Sequence, residues 1–239
     1  MRKPIVLGVL AAIAAVVVVA GGGYIYYFSG LRTSPPQLGL SASPAPSSST
    51  AAPSTSLSGR WFVGPGSVAG YRVKELFVGQ TSKHEAVART SSVSGDMTVS
   101  GDATGYLVNN IKITVELADL RSKDQVAGRD VSDRDGSVAR QLSVRGYPTA
   151  SFTAVSASVP AGVISGPVDV ATGGKLTIHG VTKDITVKAK AQFVGDTVEI
   201  AGSILIDMND YKVPPPEVPF VTVDAATTIE FDIFMKKAL

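Results

Sequence analysis

Hydrophobic and polar positions alternate along most of the chain after residue 59. In "ITVKAKAQF", Ile185, Val187, Ala189, Ala191 and Phe193 fall on one face, and Thr186, Lys188, Lys190 and Gln192 on the other. A period of two means a long β-strand with one dry side. "NNIKITVELADL" places Ile111, Ile113, Val115 and Leu117 together. "TVEIAGSILIDM" does the same for Val198, Ile200, Ile204, Ile206 and Met208, with Gly202 where a curved strand often needs a glycine. "TTIEFDIFMKK" aligns Ile229, Phe231, Ile233 and Met235. Shorter strands are predicted at Ser67 to Phe77, Ser92 to Val99, Ala150 to Ser156 and Leu176 to Ile178. Gly195-Asp196 separates two alternating runs, as in a hairpin. Roughly eight one-sided strands result. Helix and strand patterns do not alternate, which argues against a parallel α/β fold.

The stretch Lys123 to Arg145 breaks the pattern. It is charged and poor in β-branched runs, and Ser132 followed by Asp135 resembles a capping box with Asp in place of Glu. The spacing predicts one short helix from Asp133 to Leu142. Arg129, Arg134 or Asp135 would anchor it across the mouth of a barrel.

The N-terminal part differs in kind. Ile5 to Phe28 contains no charged residue. As a helix it would span about 36 Å, against about 30 Å of bilayer hydrocarbon. Arg2 and Lys3 before it should stay in the cytoplasm, so the rest of the chain would lie outside. A cleaved signal peptide competes with a retained anchor; Tyr24, Tyr26 and Tyr27 at the outer interface favour the anchor. Residues 29–58 are rich in Ser, Pro and Ala and show no hydrophobic period, so they read as a disordered tether. The expected organisation is 1–28 anchor or signal sequence, 29–58 linker and 59–239 folded domain.

Charge and composition exclude several functions. No Asp or Glu precedes residue 59, and the domain from Gly59 onward carries one net negative charge, so nothing in it attracts nucleic acid. The absence of cysteine removes disulfides, thiolate metal sites and a Cys nucleophile. His84, expected on a loop, and His179, at a strand-turn-strand corner, are far apart and lack a carboxylate cluster, a poor basis for a metal site. His179 is expected to bond to the backbone of its turn rather than to a ligand. No Gly-x-Ser-x-Gly elbow and no phosphate-cradling glycine loop occurs. No catalytic residues are assigned, and an enzyme is not expected.

Several motifs occur together and in order. "SVAGYRVKELF" follows the aromatic Trp61. "VSGDMTVSG" comes next. Arg134, Asp135, Tyr147, Pro148 and Phe152 mark "RDGSVARQLSVRGYPTASF". Gly174, Leu176, Thr177, His179, Gly180, Val181, Thr182 and Lys183 mark "GKLTIHGVTK". With the closing "TTIEFDIFMKK", this order resembles the YceI-like family of exported bacterial lipid-binding proteins, over about Gly59 to Lys237. The chain departs from the family in having "RQLSVRG" where a bulky aromatic pair usually precedes Tyr-Pro, and in the proline-rich "YKVPPPEVPF". The resemblance implies an all-β, antiparallel, eight-stranded lipocalin-like barrel with one short helix, here preceded by an N-terminal transmembrane helix. Its lumen would hold a polyisoprenoid chain such as a quinone tail.

Alternation alone fits a cavity, a filled barrel or a two-sheet sandwich. The small Ala189 and Ala191, and the modest aromatic content, lean toward a cavity. Lining residues are expected among Val73, Phe77, Ile113, Val115, Leu117, Phe152, Val187, Ala189, Phe193, Ile204, Ile206, Phe231 and Ile233. The expected function is non-catalytic binding of a long apolar lipid at the outer face of the bacterial cytoplasmic membrane, or as a secreted protein if the N-terminal segment is cleaved. No cofactor is expected apart from a bound isoprenoid-type lipid. The rival is a filled barrel acting as a cell-surface interaction module through outward patches or the loop Val213 to Pro219. A homodimer through a barrel edge or mouth stays open.

Overall fold

The computed structural model describes residues 32–42, 57–102, 104–126, 130–194 and 196–238. The expected anchor at 1–28, Arg129 and Gly195 lie outside these residues. Among the described residues, no helix is long and apolar enough to cross a membrane.

The strands are β1 Arg32–Thr33, β2 Gly59–Val63, β3 Val68–Phe77, β4 His84–Thr90, β5 Val93–Asp102, β6 Gly105–Glu116, β7 Arg121–Ser122, β8 Gln125–Val126, β9 Thr149–Pro160, β10 Val168–Ile178, β11 Val181–Val194, β12 Thr197–Asp207 and β13 Val221–Lys237. All of their pairings are antiparallel. Eight strands close a ring in the order β13, β12, β11, β10, β9, β6, β5, β2 and back to β13. Closure rests on the 17-residue β13, which pairs with β12 on one side. On its other side Met235–Lys237 pair with β2, and Val221–Asp232 with β3. The chain is therefore a closed barrel and not a two-sheet sandwich. β4 and β7 extend the wall beyond β3.

The sequence pattern missed β2 and β4. His84 opens β4 rather than lying on a loop, and it is buried. β6 begins earlier than the pattern suggested because its parity changes midway. Tyr106 and Val108 face inward before Asn110, and Ile111, Ile113 and Val115 after it. Asn110 takes a φ of 54°, at a shift in register that returns the apolar side to the lumen.

The helix α1 runs Asp133–Gln141. Its expected capping box does not form. Ser132 Oγ donates to Asp130 Oδ1 instead, and Asp135 Oδ1 accepts from the N–H and Oγ of Ser122 at 2.9 and 2.7 Å. Asp135 thus pins the first turn of α1 to β7.

The expected linker is replaced, over residues 32–42, by a strap laid along the outside of the barrel. β1 pairs with β8, and Ser34 Oγ donates to the Glu85 carbonyl. Pro35 and Pro36 hold the backbone extended, and their carbonyls accept from Arg72 and Arg89. The Leu38 N–H donates to Glu230 at 3.1 Å, and the Ser41 N–H and Oγ donate to Glu199 at 2.6 and 2.8 Å. Glu199 and Glu230 stand on the outward parity of their strands yet are fully buried. Composition could not reveal this docking, because it runs on hydrogen bonds to buried charges rather than on an apolar stripe.

Glu230 joins Arg72 Nε at 2.6 Å and Arg89 Nε at 2.7 Å. Glu230→Ala leaves two guanidinium groups short of their carboxylate and should cost about 3–5 kcal/mol in urea unfolding. Beside this group, burial and the Glu199 carboxylate raise the Asp232 pKa to about 7. An unfolded Asp titrates near ~3.9. Between those values the folded chain holds the extra proton, so stability falls as pH rises across that window. Asp232→Asn should flatten the descent: thermal melts coincide with wild type below pH ~4, the variant becomes progressively the more stable as pH rises to about 7, and the difference levels off above that.

Candidate ligand cavity

The buried apolar residues form two clusters. One lies beneath α1 and includes Leu117, Leu142, Leu176, Ile178 and Tyr211; the other surrounds Trp61. A cavity of about 650 Å³ reaches into both and touches every strand of the ring. That volume falls in the range of small-molecule sites, ~300–1,000 Å³. Trp61 and Phe193 meet edge to face, with centroids 6.2 Å apart, in the cluster farther from α1.

Of the residues marked from the sequence, Val73 of β3, Ile113 and Val115 of β6, Leu117 just beyond it and Phe152 of β9 border the cavity. So do Val187, Ala189 and Phe193 of β11, Ile204 of β12, and Phe231 and Ile233 of β13. Phe77 and Ile206 do not. Phe77 has the right parity but lies at the end of β3, opposite the first residue of β13. Ile206 is consumed in the cluster beneath α1.

Two aromatic rings lie flat on the wall instead of filling the lumen. A Cβ on Gly174 would sit 2.5 Å from the Phe152 ring, and one on Gly202 would sit 2.8 Å from Phe231 Cζ. Each ring occupies the space a neighbouring side chain would take, so Gly202 gives room to Phe231 as well as curvature. The remaining motif residues also meet one another. His179 and Gly180, with φ of 51° and 71°, form the two-residue turn between β10 and β11. Tyr147 packs edge-on to the His179 ring, with centroids 4.7 Å apart, and covers Gly180 where no Cβ would fit. His179 does not bond to its turn as expected; its Nδ1 is buried without a hydrogen-bond partner. The Thr177 and Thr182 hydroxyls share a 2.8 Å hydrogen bond across the same hairpin. These motifs hold α1, β9 and the β10–β11 hairpin together, a structural role.

α1 and the proline-rich loop cover one end. Arg134, Val138, Gln141 and Leu142, with Pro214, Pro215 and Pro216, border the cavity there, and Gln141 Nε2 donates to the Pro214 carbonyl. Tyr71, Glu75 and Arg134 stand in the lining at this end. Arg134 binds Asp124 at 2.7 Å and Glu75 at 3.1 Å. Asp124 also takes His84 Nε2 at 2.7 Å and the Val87 N–H at 3.0 Å. Burial works against the Asp124 carboxylate, but these hydrogen bonds hold its pKa well below the usual range. Burial, reinforced by Asp124, raises that of Glu75 against the pull of Arg134. Burial likewise pushes the Tyr71 hydroxyl far up. Arg134 and Asp135 therefore anchor α1 across the barrel end. The sequence analysis did not reach Glu75, although an acidic residue at an inward parity position calls for a buried partner. Among the described residues, no three metal-ligating side chains come together.

The model of the YceI-like domain family matches residues 65–235. A UPF0312 protein of Pseudomonas syringae pv. tomato is 29% identical over 141 residues, which cover 56% of this chain and 68% of that protein. Among solved structures, a polyisoprenoid binding domain from Saccharophagus degradans, implicated in plant cell wall breakdown, is similar at 14% identity and a TM-score of 0.53. It covers 76% of this chain and 99% of its own. BcnA of Burkholderia cenocepacia is similar at 19% identity and a TM-score of 0.47, covering 69% and 95%.

Arg134→Ala removes the cation between two carboxylates and should cost about 3–5 kcal/mol. Hydrogen exchange should show the loss first in α1, with the backbone amides of β11 and β12 protected for longer.

Proposed function

Because the chain belongs to the YceI-like domain family, we propose that it binds a long apolar lipid of isoprenoid type in the barrel lumen, without transforming it. The observation that carries this reading is the cavity, about 650 Å³ lined mostly by aliphatic and aromatic side chains. Each CH₂ moved from water into such a lining gains about 0.8 kcal/mol, so a long chain needs few polar contacts. Tyr71, Glu75 and Arg134 at one end give a polar head somewhere to lie. The S. degradans domain of like fold is a polyisoprenoid binding domain, which supports this ligand class. The proposed location is the outer face of the bacterial cytoplasmic membrane, supported by the uncharged run Ile5 to Phe28 behind Arg2 and Lys3.

Two observations favour lumen binding over the interaction-module reading. The lumen is not filled, and the proline-rich loop has a local task in bordering the cavity and accepting the bond from Gln141.

Residues 29–239, exported behind a cleavable leader and purified without detergent, should release a stoichiometric long-chain lipid into organic solvent, read by mass spectrometry. Ala189→Trp should keep the melting temperature but lose the lipid. Displacing even two methylenes costs about 1.6 kcal/mol, or about tenfold in affinity. Full lipid occupancy in a folded Ala189→Trp variant, or a lipid-free wild type that refuses added quinones, would sink the reading.

A further inference from the structure

We infer that the ligand enters and leaves the lumen sideways, through a seam in the wall between β9 and β10, and not past α1. The inference rests on the lipid-binding reading above and adds the route by which the lumen exchanges its ligand.

The seam is a break in the ladder. β6 pairs with β9 from Gly105–Pro160 to Glu116–Thr149, and β10 with β11 from Val168–Ala191 to Ile178–Val181. Between them, β9 meets β10 only where Ser151–Thr153 face Lys175–Thr177. Ala154–Pro160 and Val168–Gly174 run on without a rung between them. At about 3.3 Å per residue the slit is about 20 Å long. Thr172 Oγ1 donates to the Ser156 carbonyl at 2.8 Å, at the level where the register of the last rungs would have set two backbones together. One hydroxyl stands there in place of a ladder.

The cavity reaches into this seam. Ala157 and Val159 of β9, and Val170 and Thr172 of β10, border it. Ala171 lies between Val170 and Thr172 on the outward parity of β10 and is exposed, yet it borders the cavity as well. A wall residue touches both the outside and the lumen where the wall is open beside it. A single 3₁₀ turn, Ala161–Ile164, joins the two strands at the far end of the slit and sets the buried Val163 against the same cavity.

A second parting of the wall is sealed. β11 and β12 separate beyond Lys188–Ser203, and there Ile185, Ile204 and Ile206 pack into the cluster beneath α1. At the β9–β10 seam the register sets small residues opposite instead, Ala157 against Ala171. The α1 end is also the tied end. Lifting α1 would break the Arg134 pairs with Asp124 and Glu75, the Asp135 bonds to Ser122 and the Gln141–Pro214 bond. Parting the lips of the seam breaks no ladder and loses the Thr172 bond. A flexible isoprenoid chain can slide into a long slit along its length, where an end-on path would thread it past a buried ion network.

The chain has no cysteine, so Val155→Cys/Gly173→Cys places two thiols across the seam. Both positions are exposed, and the register sets them opposite. Dibromobimane bridges the pair and fluoresces once both thiols react. Asp169→Cys/Lys190→Cys, on a true rung between β10 and β11, is the bridged control. The single tryptophan, Trp61, borders the cavity, so its quenching by an isoprenoid quinone reads loading of the full chain in phosphatidylglycerol vesicles. Recovery on adding excess empty vesicles reads release. The 155–173 bridge should slow both by about tenfold, at an unchanged end point, and the control bridge should slow neither. Equal rates with and without the 155–173 bridge, or equal slowing by the control bridge, overturn the seam and return the route to the α1 end. A wild type that is never quenched sinks the lipid-binding reading, and the seam with it. Where the 155–173 bridge does not form, or lowers the melting temperature, Thr172→Val decides. Losing the one bond across the lips should quicken exchange about fivefold, and an unchanged or slower rate overturns the seam.

Discussion

The architecture depends on β13 pairing on both sides along nearly its whole length. Its one edge serves β12; its other serves β2 and β3 in turn. A sheet that closes on itself has no free edge strand in its ring, so backbone hydrogen bonds are satisfied without a second sheet packed on top. The inner face is then free to be hollow. In a sandwich the same alternation would have had to interdigitate with a facing layer. Here the dry faces look at one another across the lumen.

Closure also shapes the outside. The outward positions of a barrel wall are ordinarily solvated, and here Arg72, Glu199 and Glu230 are buried by eleven residues of strap. Burying such groups is unfavourable unless each polar atom is bonded. Glu230 meets two guanidinium groups and a backbone N–H, and Glu199 takes three donors from Ser41 and Gln192. Asp232 is the strained member: one of its oxygens has no partner, and burial beside Glu199 favours its protonated form. The strap and the lumen use opposite physics, ionic and geometrically specific on the outside, apolar and tolerant of shape inside.

Much of this was legible in the sequence where it rests on period. The inward faces of β6, β11, β12 and β13 follow from alternation, and α1 from its interruption. β2 and β4 were hidden because each is short and mixes charges with apolar residues. Arg89 and His84, which disguise β4, are there to bond Glu230 and Asp124. The docked strap was hidden for a related reason: hydrogen bonds between a polar segment and distant charges leave no periodic trace. Phe77 and Ile206 had the right parity but the wrong height along the barrel, a coordinate that alternation does not carry. Local reasoning failed where a long-range polar contact, or height along the barrel, decides the outcome.

Whether the lumen is open or filled is decided by volume, and two glycines are central to it. Had Phe152 and Phe231 stood upright from a wall of ordinary residues, their rings would have pointed across the lumen. Gly174 and Gly202 let each ring lie back against the adjacent strand, while Ala189 and Ala191, on the strand next to Gly202, keep the same wall thin. The aromatic residues then contribute their area to the lining without spending it on closing the space. A glycine that would be a weak point in a packed strand becomes, beside an aromatic neighbour, the feature that keeps the barrel hollow.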